Sequence, residues 1–161
     1  MINIEIIATG KIKEKATYEL INEYSKRISK YAKINITEIQ DENLSFVKSS
    51  LDEEKIKDAE GSKILERLNK LNRSYVISLE PNGKMIDSVN FAKKIDMLSI
   101  NYSSLVYIIG GSLGLSKDVL SKSNEIISFS PLTFPHQLFR VMLLEQIYRS
   151  FKINNNETYH K

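Results

Sequence analysis

Cysteine is absent from the 161 residues, which excludes a disulfide framework, a thiolate nucleophile, an iron–sulfur cluster and any cysteine-ligated zinc. Histidine occurs only as His136 and His160, so no histidine-rich metal site is expected and no metal is assigned. Long hydrophobic runs are missing too. Leu105 to Ile109 and Val141 to Leu144 are typical of the longest, far short of the ~20 residues of a membrane-spanning helix. Met1 to Ile6 holds no basic leader ahead of an apolar stretch, so a cytoplasmic protein is expected. Nor does one sign of charge dominate: 23 lysines and arginines face 20 acidic residues, a net +3. Residues 1–73 carry 14 basic and 13 acidic side chains, the remainder 9 and 7. Neither half is a basic arm, and a polyanionic partner is permitted without being required.

What is present is an ordinary globular composition, 42% hydrophobic and 27% charged, in a chain long enough for one core. A single domain over residues 1–161 is expected. Ile2, Ile4 and Ile6 alternate with Asn3 and Glu5, the period of a half-buried strand ending at Thr9-Gly10. Ala16, Leu20, Ile21, Tyr24, Ile28 and Tyr31 recur at helical steps and predict a helix over Lys13–Tyr31. A second strand runs from Ile34 to about Ile39, followed by a polar loop from Gln40 to Ser50. Ser50 and Glu53 form a capping-box pattern ahead of a helix carrying Ile56, Ile64, Leu65, Leu68 and Leu71. Gly61 inside it predicts a kink or a close contact.

Ser74 to Leu79 reads as a strand buried on both faces, with Pro81-Asn82-Gly83 as a turn after it. A helix through Phe91, Ala92, Ile95 and Leu98, a buried strand Leu105–Ile109, a short helix after Ser116 and a strand Glu125–Ser130 follow. A long helix from His136 to Ile153 closes the series, with Pro135 at its first turn. Strand and helix alternate throughout, which predicts an α/β fold with a mainly parallel sheet flanked by helices. Leu138, Phe139, Val141, Met142, Leu143, Leu144, Ile147, Tyr148 and Phe151 surround most of the last helix. A second subunit covering its outer side, hence a homodimer, is expected; the alternative is a central helix within a monomer.

Gly110, Gly111 and Gly114 follow a buried strand, where ligands bind in open α/β sheets. Serine at 112 breaks a dinucleotide fingerprint, and no Gly-Lys-Ser/Thr ending marks a phosphate loop. The loop suits an adenine or a carboxylate; otherwise it is a tight turn requiring positive φ. His136 and Arg140 lie one turn apart on one helix face. Arg140 must meet a carboxylate, a ligand or a groove, because burial without a partner is too costly. His136 is either structural or a neutral imidazole available as a general base. Glu145 and Arg149 are spaced as an intrahelical ion pair. Tyr159-His160-Lys161 is either a frayed end or a segment that stacks on a base and contacts a phosphate. Lys11, Lys13 and Lys15 hold an RNA backbone or simply start a helix in solvent.

Gly110-Gly111-Ser112-Leu113-Gly114, Ser128-Phe129-Ser130, Thr133-Phe134-Pro135-His136-Gln137, Arg140-Val141, Glu145-Gln146, Tyr148-Arg149 and the terminal Tyr159-His160-Lys161, with Ala8-Thr9-Gly10-Lys11 near the start, resemble the RlmH family. These are SPOUT-class enzymes that use S-adenosyl-L-methionine to methylate N3 of a pseudouridine in large-subunit ribosomal RNA. The resemblance implies a C-terminal trefoil knot and a homodimer with the active site near the subunit interface. It implies cofactor contacts from Leu79, Gly110, Gly111, Phe129, Ser130, Pro131, Leu132, Thr133 and Phe134. For such a reaction the charges single out His136 and His160 as candidate bases, Arg140 as a group that stabilises charge developing on the pyrimidine oxygens or binds an adjacent phosphate, and Lys11, Tyr159 and Lys161 as contacts to RNA in the large subunit or assembled ribosome. Leu113, where relatives usually carry a polar residue, and Glu157-Thr158, in place of a His-Pro, depart from the pattern.

In that reaction N3 must lose a proton before or during in-line attack, and only the two histidines have an ordinary pKa near neutrality. The residues do not choose between them. Two rival readings stand beside this one: a ribosome-binding factor of the same fold without turnover, and a flavodoxin-like nucleotide binder.

Overall fold

The computed structural model describes residues 1–161. Five strands, β1 (Asn3–Thr9), β2 (Lys33–Ile39), β3 (Ser74–Met85), β4 (Ser104–Ile109) and β5 (Glu125–Ser128), alternate with α1 (Lys15–Ile28), α2 (Ser50–Leu68), α3 (Ser88–Asn101), α4 (Lys117–Lys122) and α5 (His136–Asn154). Every strand pair is parallel, in the order β2-β1-β4-β3-β5. The expected α/β alternation therefore forms one sheet with helices on both faces. Period-two alternation sorts the side chains. Ile4, Ile6, Ile77, Leu79, Leu105 and Tyr107 share a core with Ile21 and Ile28 of α1, Phe91 and Ile95 of α3, and Leu143, Leu144 and Ile147 of α5. Ile7, Val76, Val106 and Ile108 point the other way, onto Ile64 of α2 and Val119 of α4.

Several local expectations are corrected. β1 is an interior strand, not a half-buried one: Glu5 is 5% exposed, and its carboxylate is satisfied by Arg67 at 3.0 Å, Asn35 at 2.7 Å and Thr37 at 2.6 Å. The helix expected over Lys13–Tyr31 is shorter, and its early apolar positions Ala16 and Leu20 face solvent. The cap of α2 is Ser49, whose side chain accepts the Asp52 N–H at 3.2 Å, one residue earlier than the Ser50–Glu53 pattern. Gly61 marks the close contact rather than a kink: a Cβ there would collide with Ser116 Oγ.

Pro81-Asn82-Gly83 does not end β3. The strand shifts register between Leu79 and Lys84 and then pairs again with β5, so the turn-forming residues are used as a bulge. Glycine is required at 83, where a Cβ would come within 2.7 Å of the Ile127 backbone. On α5, Pro135 is the N-cap residue rather than part of the first turn. Leu143, Leu144 and Ile147 have no exposed surface in the single chain, because α1 and α3 flank α5 on the same face of the sheet. For these residues the central-helix alternative holds, and they cannot form a subunit interface. No helix is long and apolar enough to cross a membrane.

Candidate active site

The bulge of β3, the carboxyl end of β4 with the loop after it, and the segment after β5 surround a cavity of about 290 Å³. One wall is the glycine loop after β4. Gly114 takes φ +85° and its N–H donates to the Gly111 carbonyl at 3.1 Å, so the turn reading applies there. Gly110 serves a different purpose: a Cβ on it would lie 2.9 Å from the Gly114 carbonyl carbon, and only glycine lets the loop fold back on itself. Phe129 and Phe134 of the facing wall lie against Phe139 of α5, with ring centroids 5.1 and 6.3 Å apart. Leu79, Ile109, Leu113 and Leu132 complete the apolar lining.

His136 opens α5 and lines the same cavity. A Cβ on Gly10 would lie 3.2 Å from its Nε2, so the glycine after β1 leaves room for the ring. Burial, reinforced by the field of the Arg140 guanidinium, holds the imidazole pKa below its ordinary value, and the ring is neutral at physiological pH. Arg140, one turn on, is 1% exposed. Its Nη1 lies 2.9 Å from Glu38 Oε2 and its Nη2 donates to the Gly10 carbonyl at 3.0 Å, while Nε is buried without a partner. Arg140 thus meets a carboxylate, as its chemistry demands, but inside the protein. It ties the ends of β1 and β2 to the first turn of α5 and so fixes the residues around His136.

The sequence from residue 2 to residue 160 matches the family described as "Predicted SPOUT methyltransferase". The chain belongs to the SPOUT methyltransferase family. It is 55% identical over 160 residues to the ribosomal RNA large subunit methyltransferase H of Clostridium botulinum strain Alaska E43, covering 99% of each chain. The proteins of the same name in C. botulinum strain Eklund 17B and in C. acetobutylicum are 54% and 52% identical, again over 99% of each chain. Of the residues expected to touch a cofactor in this SPOUT methyltransferase, Leu79, Gly110, Gly111, Phe129, Leu132, Thr133 and Phe134 line the cavity. Ser130 and Pro131 do not. Ser130 instead shapes the wall, its carbonyl accepting from the Ser128 hydroxyl at 3.0 Å and its hydroxyl accepting the Leu132 N–H at 3.1 Å.

The expected catalytic set is not assembled within one chain. His160 is exposed and its Nδ1 lies 3.2 Å from Arg149. Arg149 is 13 residues beyond His136 on α5, which at 1.5 Å per residue separates the two histidines by about 20 Å along the helix. The tail is not frayed. Glu157 accepts from Tyr31 at 2.8 Å and pairs with Lys152, so a residue that departs from the family pattern anchors it. Tyr159 donates to Glu145 at 3.1 Å and sits under the Arg149 guanidinium, 4.8 Å from its ring centroid. Burial and the Glu145 carboxylate push the Tyr159 hydroxyl up to about 12. Lys161 and Lys11 are exposed, Lys11 directly after Gly10.

Sequence reasoning missed Glu80, Asn82 and Phe139, all of which line the cavity. The bulge in β3 brings the first two there, and an expected turn at Pro81 hid that. It also missed Glu38, whose partnership with Arg140 spans 102 residues and leaves no local pattern.

Proposed function

We propose that this SPOUT methyltransferase transfers a methyl group from S-adenosyl-L-methionine to N3 of a pseudouridine in large-subunit ribosomal RNA, acting on the large subunit or assembled ribosome in the cytoplasm. The observation that carries the reading is a cavity between the glycine loop and the Phe129–Phe134 wall that opens beside a neutral histidine. The names of the relatives support ribosomal RNA as the substrate. The cavity fits the donor in kind: glycine backbone and phenylalanine rings suit an adenosine, and no lysine or arginine lines it to hold phosphates. The donor supplies an electrophilic methyl on a sulfonium.

His136 is the base in this reading. Its neutral imidazole would accept the N3 proton as N3 takes up the methyl group that the bound donor would supply, and the imidazole would end protonated. Arg140 acts as a positioning residue, since its guanidinium is taken up by Glu38 and Gly10. Lys11, at the end of β1, meets the RNA backbone.

The active form is a homodimer, with a second copy supplying Tyr159, His160 and Lys161, because about 20 Å of helix separates the tail from the cavity of its own chain. A groove of about 590 Å³ floored by Phe91, Phe129 and Val141 and rimmed by Met142 supports a second copy along α5, as does Leu138, 47% exposed. The trefoil knot implied by the resemblance belongs to the same proposal, and an experimental backbone trace tests it. For the function, purified protein and labelled donor are incubated with ribosomes lacking the modification, and the product nucleoside is identified by mass spectrometry. N3-methylpseudouridine is the expected product; binding to ribosomes without transfer makes the protein an inert factor instead.

A further inference from the structure

Among the residues lining the cavity, one is a carboxylate and none is a lysine or arginine. That carboxylate, Glu80, is half-buried at the start of the β3 bulge. It takes part in none of the ion pairs of the chain. Its one hydrogen bond runs from the Leu115 N–H to Oε1 at 2.9 Å, which fixes the side chain beneath Gly114, where a Cβ would lie 3.4 Å from Oε1 and 3.7 Å from Oε2. Burial raises its pKa and outweighs the Leu115 N–H and the field of Lys57, which lower it, so the carboxylate is incompletely compensated. The other ionisable group in the lining, His136, is neutral, so the cavity carries a net negative charge.

We propose that Glu80 is the charge selector of this cavity, favouring a cationic ligand over a neutral one of the same shape. The inference rests on the donor reading above and deepens it. S-adenosylmethionine carries a sulfonium that is lost on methyl transfer, so donor and product differ by one positive charge and one methyl group. Glu80 is part of the lining of a cavity of about 290 Å³, so a positive charge seated inside it lies on the scale of a Debye length, ~8 Å at physiological ionic strength, or less from the single carboxylate. The attraction between the two charges is therefore little screened, and it disappears when the sulfonium becomes a thioether. Glu80 thus strengthens binding of the donor and not of the product, which helps the spent molecule leave. The alternative use of such a carboxylate is to accept hydrogen bonds from ribose hydroxyls. Those are identical in donor and product, so the two roles separate experimentally.

The test is calorimetric titration of the full-length protein with three ligands: S-adenosylmethionine, S-adenosylhomocysteine, and sinefungin, which carries a protonated amine in place of the methylated sulfur. Glu80→Gln keeps the shape and an oxygen to accept the Leu115 N–H while removing the charge. It is expected to weaken S-adenosylmethionine and sinefungin about tenfold, which is about 1.4 kcal/mol, and to change S-adenosylhomocysteine less than about twofold. Asn82→Asp, an isosteric change that adds a carboxylate to the same lining, is expected to shift the preference the other way, and it decides the matter if Glu80→Gln fails to fold. Equal weakening of all three ligands, or no change in either variant, overturns the proposal and leaves the methyl-transfer reading intact. If the wild-type protein binds none of the three, the donor reading itself fails, and this inference with it.

Discussion

The two ends of α5 carry nearly the same chemistry, an arginine with a glutamate and a histidine, yet they are built differently. At the N-terminal end Arg140 is 1% exposed and its partners, Glu38 and the Gly10 carbonyl, come from other elements. At the C-terminal end Arg149, 26% exposed at its side chain, pairs with Glu145 on its own helix and with the tail. The first arrangement exists only when the sheet and helix are docked together. The second needs little beyond the helix and the last few residues. A buried charge network links distant segments and supports a cavity, whereas a surface network arranges side chains for contact with something outside.

The largest effect expected is on stability. Arg140→Ala leaves the Gly10 carbonyl without its donor and Glu38 with only the Ile12 N–H, and it empties a buried volume, so it should cost about 2–3 kcal/mol in chemical denaturation, while Arg149→Ala should cost about 1 kcal/mol or less. Equal losses would erase the distinction between the two ends. Next comes activity. His136→Asn should keep the fold and the donor affinity but lower methyl transfer about 10²- to 10⁴-fold. His160→Asn should lower it through the second copy, so mixing the two single variants should restore part of the activity. No restoration would remove His160 from the site.

Assembly gives a smaller expected change. Met142→Asp, on the groove along α5, should convert a dimer into a folded 18.5 kDa species in light scattering; an unaltered dimer would place the interface elsewhere.

The smallest effect is the pH dependence of stability. The His136 pKa is depressed in the folded protein by burial and by Arg140, so between its folded and unfolded values the unfolded chain binds more protons. Its contribution is present in full above the unfolded value of about 6.5 and is lost as pH falls through the depressed folded value. His136→Asn should remove that acid-side loss, and an unaltered stability profile in the variant would show that the buried imidazole is not its source.

The sequence by itself determined the order of strands and helices, because hydrophobic period is a local property: the buried runs at Ser74–Leu79 and Leu105–Ile109 and the cap at Ser116 all lie where the pattern places them. It also determined the two principal walls of the cavity, since the glycine loop and the Phe129–Phe134 segment are contiguous stretches with recognisable residues. What each helix face meets depends on packing between distant segments. Leu143 and Leu144 looked like candidates for a partner and are covered by their own chain, while Ala16 and Leu20, expected inside, face solvent. Only the fold brought Glu38 to Arg140 and bulged β3 to carry Glu80 into the cavity. Such contacts join residues far apart in the chain, and their energy comes from burial and charge at a place that does not exist until the sheet has formed.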